Sequence, residues 1–132
     1  MFVLIDNATE ILLLLFLVIT FLQSGIDKIY DWKGNLDWLT GHFADTPLRS
    51  LVPFLLAVVL LSEVISGILC AVGIYEIVMT HESTIALYGA LMSCVSLLML
   101  LFGQRMAKDY EGAKTIAVYF VPAIFLLYLL SP

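Results

Sequence analysis

The chain has 132 residues, of which 62% are apolar and only 13% are charged, and its mean hydropathy is +1.06. This composition excludes an ordinary soluble domain and predicts an integral membrane protein. The formal net charge of −5 argues against a nucleic-acid partner and leaves the lipid bilayer as the expected surroundings.

The apolar residues form long runs separated by short polar segments, which is typical of spanning helices and not of an outer-membrane barrel. We predict an all-α fold in which residues 1–132 make a single transmembrane domain, an integral-membrane four-helix bundle with a short interfacial segment between its first two helices. The expected spans are residues 8–29, 51–75, 84–106 and 113–130.

The first span, residues 8–29, has no basic segment before it and no small-residue cleavage site after it, so we expect a retained helix and not a signal peptide. Thr20, Ser24 and Lys28 recur every four residues and therefore share one helix face. This polar stripe predicts a surface that faces the bundle or a cavity. For Lys28 alone, the alternative is a side chain that snorkels to the membrane surface.

The connection over residues 30–46 mixes aromatic and charged side chains, which favours a segment at the level of the lipid headgroups. Gly34 and Gly41 are expected to bound a short turn of interfacial helix there. Thr46 followed by Pro47 predicts the start of a helix, with the threonine hydroxyl at the N-cap and proline at the first helical position.

The second span, residues 51–75, carries Glu63 at its midpoint. A carboxylate near the bilayer centre costs about 2.5 to 3.5 kcal/mol to insert, so such a residue usually faces a bundle interior and marks a functional pathway. Small residues recur every four positions beside it and again in the third span, so we expect these two helices to pack closely. The small residues are Ser62, Ser66, Cys70, Ala86, Ala90 and Cys94.

The third span ends in Gln104 and Arg105, and the segment AKDYEG connects it to the fourth. The fourth span carries Tyr119 and Pro122 near its middle. Because proline frees a backbone carbonyl and kinks a helix, we expect Pro122 either to open a cavity or to make a simple packing bend.

All six basic residues flank the first and third connections, which four spans place on one side of the membrane. The positive-inside rule predicts that this side is cytoplasmic and that both termini are external. A salt-bridge collar is expected there, with Glu63 beyond its reach unless a polar cavity connects them. The expected collar consists of Lys28, Arg105, Lys108, Asp27, Asp31 and Asp109. The expected cavity lining consists of Thr20, Ser24, Gln104 and Tyr119.

Three sequence elements resemble the DoxX family of small four-span bacterial membrane proteins: SGIDK, SEVISG and GQRMAKDYEGA. The resemblance covers nearly the whole chain. It implies a multi-pass protein of the bacterial inner (plasma) membrane with a quinone-linked or redox-accessory role, because members are associated with membrane oxidoreductase systems. Other membrane subunits, or further copies of the chain, are the implied partners. The matching positions are Ser24, Gly25, Lys28, Glu63, Gln104, Arg105, Asp109 and Tyr110.

The sequence offers no redox centre of its own. It has no CxxC motif and no pair of intramembrane histidines, and Cys70 and Cys94 have no spacing typical of a metal site or a disulfide. His42 is predicted to be a solvated loop residue. We therefore expect no metal, no covalently bound cofactor and no self-sufficient catalytic constellation, so that a quinone or a partner subunit would supply any redox chemistry.

Three functions remain open. In the first, an apolar pocket closed by Tyr119 holds a quinone ring, and Glu63 with Arg105 or Lys28 exchanges protons or hydrogen bonds with its oxygens. In the second, the chain is a non-catalytic scaffold whose small-residue stripes and aromatic connection dock a larger complex, with Glu63 as a structural acid. The third is a small permease or proton-coupled carrier, which the absence of inverted repeats disfavours.

Overall fold

The computed structural model describes residues 5–132, and within them the fold is all-α. Four of the five helices are long and apolar enough to cross a membrane, so the protein is a multi-pass membrane protein built as a four-helix bundle. A single turn of 3-10 helix, Arg49–Leu51, precedes the third helix. The helices are α1 (Ala8–Tyr30), α2 (Trp32–His42), α3 (Val52–Thr80), α4 (Thr84–Met106) and α5 (Tyr110–Leu130).

The four spanning helices agree with the predicted spans, and they differ mainly at two ends. α3 continues past residue 75 to Thr80 and is ended by His81, whose left-handed φ of 64° breaks the helical hydrogen-bond ladder. α5 begins before residue 113, at Tyr110, because the Asp109 carboxylate accepts a hydrogen bond from Gly112 N–H at 2.9 Å and caps the helix.

The polar connection between α1 and α3 contains a full helix, α2, of 11 residues. The predicted short helix is therefore present, but it begins before Gly34 and ends after Gly41, so the two glycines do not bound it. The Asp31 side chain caps α2 by accepting a hydrogen bond from Gly34 N–H at 3.2 Å. No residue of α2 is buried, so this helix lies on the surface of the bundle.

The predicted helix start at Thr46 and Pro47 is also wrong. Thr46 Oγ1 donates to the Phe43 carbonyl at 2.9 Å and accepts from Leu48 N–H at 3.1 Å, which closes a turn before the helix. α3 begins at Val52, with Pro53 in its first turn. The hydroxyl therefore stabilises a turn, as serine and threonine often do outside helices.

Neighbouring helices of the bundle are antiparallel. Gly25 of α1 faces Val64 of α3, while Leu22 faces Gly67. Residue numbers therefore increase along one helix as they decrease along the other, so the two helices run in opposite directions. α3 packs on both α1 and α4, α4 packs on α5, and the contact of α5 with α1 is smaller. The α4–α5 connection thus lies at the same end of the bundle as the end of α1 and the start of α3. This end carries all the basic residues of the chain and is called the basic end below.

Small residues bring α3 and α4 together in the half of the bundle away from the basic end, as their spacing predicts. A Cβ atom added at Gly73 would lie 2.6 Å from Ala86 Cα, and one added at Gly89 would lie 3.0 Å from Cys70 N. The two backbones are therefore nearly in contact there. Beside this contact lies the apolar core of Leu14, Leu17, Phe21, Cys70, Ile77, Ala86, Ala90, Cys94, Leu97, Ala123 and Leu126.

Candidate functional site

An ion pair between a half-buried lysine and a buried carboxylate joins α1 to α3. Lys28 Nζ lies 3.0 Å from Glu63 Oε1, and Glu63 is only 1% exposed. The sequence predicts that Glu63 meets the basic side chains only through a polar cavity, whereas Lys28 reaches it directly. Side chains lean toward the N-terminus of their own helix, so on antiparallel helices Lys28 leans into the bundle while Glu63 leans toward the basic end, and the two converge.

The ammonium group of Lys28 has two partners. Besides the ion pair, Nζ donates a hydrogen bond to Ser24 Oγ at 2.6 Å, so two residues of the predicted polar stripe act together. Thr20, the third, instead donates to the carbonyl of Phe16 at 2.8 Å. Within residues 5–132, Glu63 Oε1 is buried and has no hydrogen-bond partner, so its contact with Nζ is an ion pair. The Lys28 ammonium is therefore the charge that compensates the buried carboxylate.

Such a pair has asymmetric energetics. Desolvation of two charges offsets much of their attraction, so the intact pair contributes little net stability, whereas removal of one partner leaves a buried charge that costs about 3 to 5 kcal/mol. Burial of Glu63 therefore stabilises the conformation in which Lys28 lies beside it. It also makes the Lys28 ammonium a fixed donor at one position inside the bundle.

A cavity of about 580 Å³ lies beside Lys28 at the basic end. Its walls are almost entirely apolar, with polar groups supplied by Lys28, Asn35 and Gln104. This combination of size, apolar surface and a few polar groups is typical of a small-molecule binding site. The apolar and aromatic lining comes from Trp38, Leu39, Phe43, Leu48, Val52, Leu55, Leu56, Val58, Val59, Val95, Leu98, Met99, Leu100 and Phe102, with Gly103 beside them.

The cavity walls come mainly from three helices. Near the middle of α3 and α4 the hydroxyl oxygens of Ser66 and Ser96 are 3.2 Å apart. Toward the basic end, many lining side chains are large, such as Leu55 on α3 and Phe102 on α4. The surface helix α2 contributes Asn35, Trp38 and Leu39 to the same lining.

A second polar cluster fastens the end of α2 to the α4–α5 connection. His42 Nε2 lies 3.0 Å from Gln104 Oε1 and 3.6 Å from Asp109 Oδ2. The ring of Trp38 stacks on the His42 imidazole, with centroids 4.6 Å apart. The prediction that His42 is a loop residue is wrong, because it is the last residue of α2 and contacts two residues of the predicted site.

The predicted salt-bridge collar does not form in the part of the chain that the structure describes. Lys28 pairs with Glu63 and Asp109 with His42, while the guanidinium of Arg105 lies 5.3 Å from the ring centroid of Tyr110 in a cation–π contact. Arg105 and Tyr110 are both exposed and lie outside the cavity lining. They belong to the rim of the basic end and not to the Glu63 site.

Tyr119 and Pro122 lie away from this site. The Tyr119 ring packs against Phe16, with centroids 6.1 Å apart, and is absent from the cavity lining. α5 is continuous across Pro122, and every described lining residue precedes α5 in the chain. The predictions that Tyr119 lines and closes the pocket are therefore not met, and the cavity does not arise from Pro122.

The sequence predicts the correct end of the bundle for Ser24, Lys28, Gln104 and Asp109, but it places Glu63 deeper than Lys28 and does not reveal the cavity walls. The sequence predicts only that Asn35, Trp38 and Phe43 belong to an interfacial segment. The available signal was the spacing of Asn35, Trp38 and Leu39, which share one face of a helix. The face that they form is the one α2 turns to the cavity.

Neither cysteine is bridged: Cys70 and Cys94 are free thiols, and Cys70 Sγ lies 3.7 Å from Ser93 Oγ inside the α3–α4 contact. No group of three or more potential metal ligands occurs among residues 5–132. In comparisons with known proteins, the chain matches no family model, and no curated protein or solved structure matches it significantly.

Proposed function

We propose that the chain is a DoxX-like protein of the bacterial inner membrane that holds a quinone ring in the cavity beside Lys28 and acts as an accessory subunit of a membrane oxidoreductase. One observation carries the proposal: a half-buried lysine, paired with a buried carboxylate, lies at the wall of an apolar cavity of about 580 Å³. The family resemblance of the sequence supports the redox association.

The cavity walls suit a flat ring with polar oxygens. Trp38, Phe43 and Phe102 supply aromatic surface, while the Lys28 ammonium and the Gln104 side chain supply polar groups in the same lining. A carbonyl oxygen accepts hydrogen bonds, so Lys28 Nζ is the expected donor to it. Glu63 holds this side chain in position, because its carboxylate lies 3.0 Å from Nζ.

The pair also handles protons. A proton that Lys28 Nζ passes to a ligand oxygen must be replaced from the basic end, because Glu63 is buried and needs its counter-charge. A bound quinone would supply the electron chemistry, which the residues of this chain lack. Its electrons would come from or go to another membrane subunit, the proposed partner.

The basic end is proposed to face the cytoplasm, with both termini external, following the positive-inside rule. The cavity would then open near the cytoplasmic leaflet. Two residues there, Trp38 and Tyr110, are exposed aromatic side chains that suit the membrane interface. The six basic residues that support this orientation are Lys28, Lys33, Arg49, Arg105, Lys108 and Lys114.

The scaffold hypothesis is supported less well. The small-residue stripes that it required for docking are used inside the chain, where Gly73 contacts Ala86 and Gly89 contacts Cys70. Those surfaces are therefore covered by this bundle itself. A partner subunit would have to use other faces of the bundle.

A direct binding experiment tests the proposal. The chain has two tryptophans, so Trp32→Phe leaves Trp38, in the cavity wall, as the only tryptophan fluorophore. Titration of this variant in lipid nanodiscs with a tail-free dimethoxy-methyl-benzoquinone should quench Trp38 saturably. The double variant Lys28→Met, Glu63→Met leaves no buried charge unpaired and should weaken that binding about tenfold through loss of one charged hydrogen bond. Linear quenching that is the same in both proteins would contradict the proposal.

A turnover experiment tests the accessory role. In native membranes, Glu63→Gln should abolish quinone-dependent oxidoreductase turnover while the bundle still purifies as a folded species. Glu82→Gln is the matched control, because it removes an exposed carboxylate at the opposite end of the bundle. Unchanged turnover in Glu63→Gln membranes would refute the accessory role.

A further inference from the structure

His42 lies outside the cavity beside Lys28 and contacts its wall. The imidazole stacks on the ring of Trp38, with centroids 4.6 Å apart, and meets the ring of Phe43 edge-on, with centroids 5.1 Å apart. Its Nε2 atom lies 3.0 Å from Gln104 Oε1. Trp38, Phe43 and Gln104 all line the cavity, whereas His42 does not. A titratable side chain therefore supports both the aromatic surface of the cavity and one of its polar groups.

The surroundings of His42 Nε2 define it as a hydrogen-bond donor. The atoms facing it, Gln104 Oε1 at 3.0 Å and Asp109 Oδ2 at 3.6 Å, are oxygens that accept hydrogen bonds. Nε2 therefore carries a hydrogen, either in the neutral ring or in the imidazolium ion. The imidazolium ion holds these neighbours more firmly, because charge-assisted hydrogen bonds are stronger and an indole face attracts a cation.

Asp109 is the charged group that faces the His42 ring. Among the residues that the structure describes, it is the ion-pair partner of His42, and both side chains are partly buried. From α4 the ring meets Gln104, which does not titrate. The other charged side chains of α2, of the connection after it and of the end of α4 are exposed to solvent, which screens them: Lys33, Asp37, Asp45, Arg49, Arg105 and Lys108. The charge of His42 therefore acts mainly on Asp109 and on the wall of the cavity.

Gln104 is held on its other side by the first turn of α5. A Cβ atom added at Gly112 would lie 2.6 Å from Gln104 Nε2, so the amide occupies space that a larger residue would fill. The amide thus has His42 at its oxygen and Gly112 at its nitrogen. Gln104 therefore reaches the cavity in one orientation, and loss of the contact with His42 would release it.

We infer that His42 is a positioning residue of this site: it holds Gln104, Trp38 and Phe43 in the arrangement that binds the ligand, and the cavity binds more tightly when His42 is protonated. This inference rests on the proposed function, since it concerns the ligand of the same cavity. The apparent affinity of a ligand falls with the fraction of molecules whose binding site is correctly arranged. A charge-assisted hydrogen bond is about twice as strong as a neutral one, which corresponds to about a fivefold difference in affinity.

A pH profile of binding tests this inference. Half-saturation of Trp38 quenching by the tail-free benzoquinone is measured in the Trp32→Phe protein in nanodiscs from about pH 5 to pH 8, where histidine changes charge. Affinity should fall about fivefold as the pH rises and His42 loses its proton. His42→Gln keeps an amide donor for Gln104 but does not titrate, so its affinity should not change with pH and should exceed that of His42→Leu. The same pH profile in His42→Gln and in the parent protein would overturn the inference.

Reciprocal coupling provides a second measurement. His81→Asn leaves His42 as the only histidine, so the ring ¹³C chemical shift of labelled histidine follows the protonation of His42 alone. If protonation tightens binding about fivefold, a saturating concentration of the benzoquinone must raise the midpoint of this titration by about 0.7 pH unit, because coupling between two sites is reciprocal. A residue that only stabilised the fold would show no such shift. An unchanged midpoint would overturn the inference.

The outcomes separate the two proposals. If the benzoquinone quenches Trp38 saturably but neither measurement depends on His42, the inference is wrong while ring binding stands. If the benzoquinone does not bind saturably at any pH, the proposed function fails and the inference fails with it. A pH profile that is lost in His42→Gln, together with the shifted midpoint, supports both.

Discussion

Lys28 and Glu63 approach each other from helices that run in opposite directions, with Nζ 3.0 Å from Oε1 in a site where Glu63 is 1% exposed. This pair anchors the polar end of the proposed site, and it connects the stability of the bundle to ligand binding. Each charge is tolerated only because the other is present.

Removal of one member of this pair should destabilise the bundle. Lys28→Met should lower the free energy of unfolding by about 3 to 5 kcal/mol, because Glu63 would remain buried without its counter-charge. The double variant Lys28→Met, Glu63→Met should recover most of this loss, since two apolar side chains replace the pair. Unfolding of purified protein by dodecyl sulfate in mixed micelles measures both. Equal losses in the single and double variants would contradict a specific pairing.

Enlargement of Gly73 should separate α3 from α4. The added Cβ of Gly73→Ala would lie 2.6 Å from Ala86 Cα, which is backbone and has no room to rotate away. We expect a lower midpoint of thermal unfolding in detergent. Gly41→Ala is the matched control, because a Cβ there meets nothing within 4 Å, and the better helix propensity of alanine should stabilise α2 by up to about 1 kcal/mol. A Gly73→Ala protein as stable as wild type would argue against the close helix contact.

Loss of the His42 contacts should release the end of α2. In His42→Leu, the 3.0 Å contact with Gln104 and the 3.6 Å contact with Asp109 are absent, and no buried side chain of α2 replaces them. Amides of residues 36–43 should then exchange with deuterium faster. His81→Asn serves as the control, since His81 is exposed at the opposite end and asparagine tolerates its left-handed φ. The same exchange rates in His42→Leu and wild type would show that α2 is held by other contacts.

Two substitutions at Asp109 should distinguish its contribution as a helix N-cap from the contribution of its charge. Asp109→Ala removes the acceptor for Gly112 N–H and should cost about 0.5 to 2 kcal/mol of unfolding free energy. Asp109→Asn keeps an N-cap oxygen and loses only the charge near His42, so it should cost clearly less. Dodecyl sulfate unfolding compares them. If the two variants lose the same amount, the contribution of Asp109 is not that of a helix cap.

The fold followed from the sequence more completely than the site did. Four runs of bilayer length are visible in hydropathy alone, since each hydrocarbon crossing requires about 20 apolar residues. The ends of α3 and α5 were harder to locate, because they depend on the backbone conformation at His81 and on the side-chain cap at Asp109. Both features are local, yet neither changes the hydropathy.

The pairing of Lys28 with Glu63 was missed for a different reason. The sequence places Lys28 and Glu63 at different depths when residues are counted from the ends of the predicted spans. Such counting ignores the stagger between helices and the direction in which side chains lean. The contact of Gly25 with Val64, which sets that stagger, is a tertiary feature. The cavity was missed likewise, because it depends on how Trp38 and Phe43 are placed against α3 and α4.

The glycines of the α3–α4 contact have a consequence for movement. Gly73 and Gly89 bring the α3 and α4 backbones nearly into contact, whereas no residue of α2, which lines the cavity, is buried. Segments with few buried contacts open locally at a lower free-energy cost than tightly packed helices do. Entry to the cavity is therefore expected through local opening of α2 and not through separation of α3 from α4.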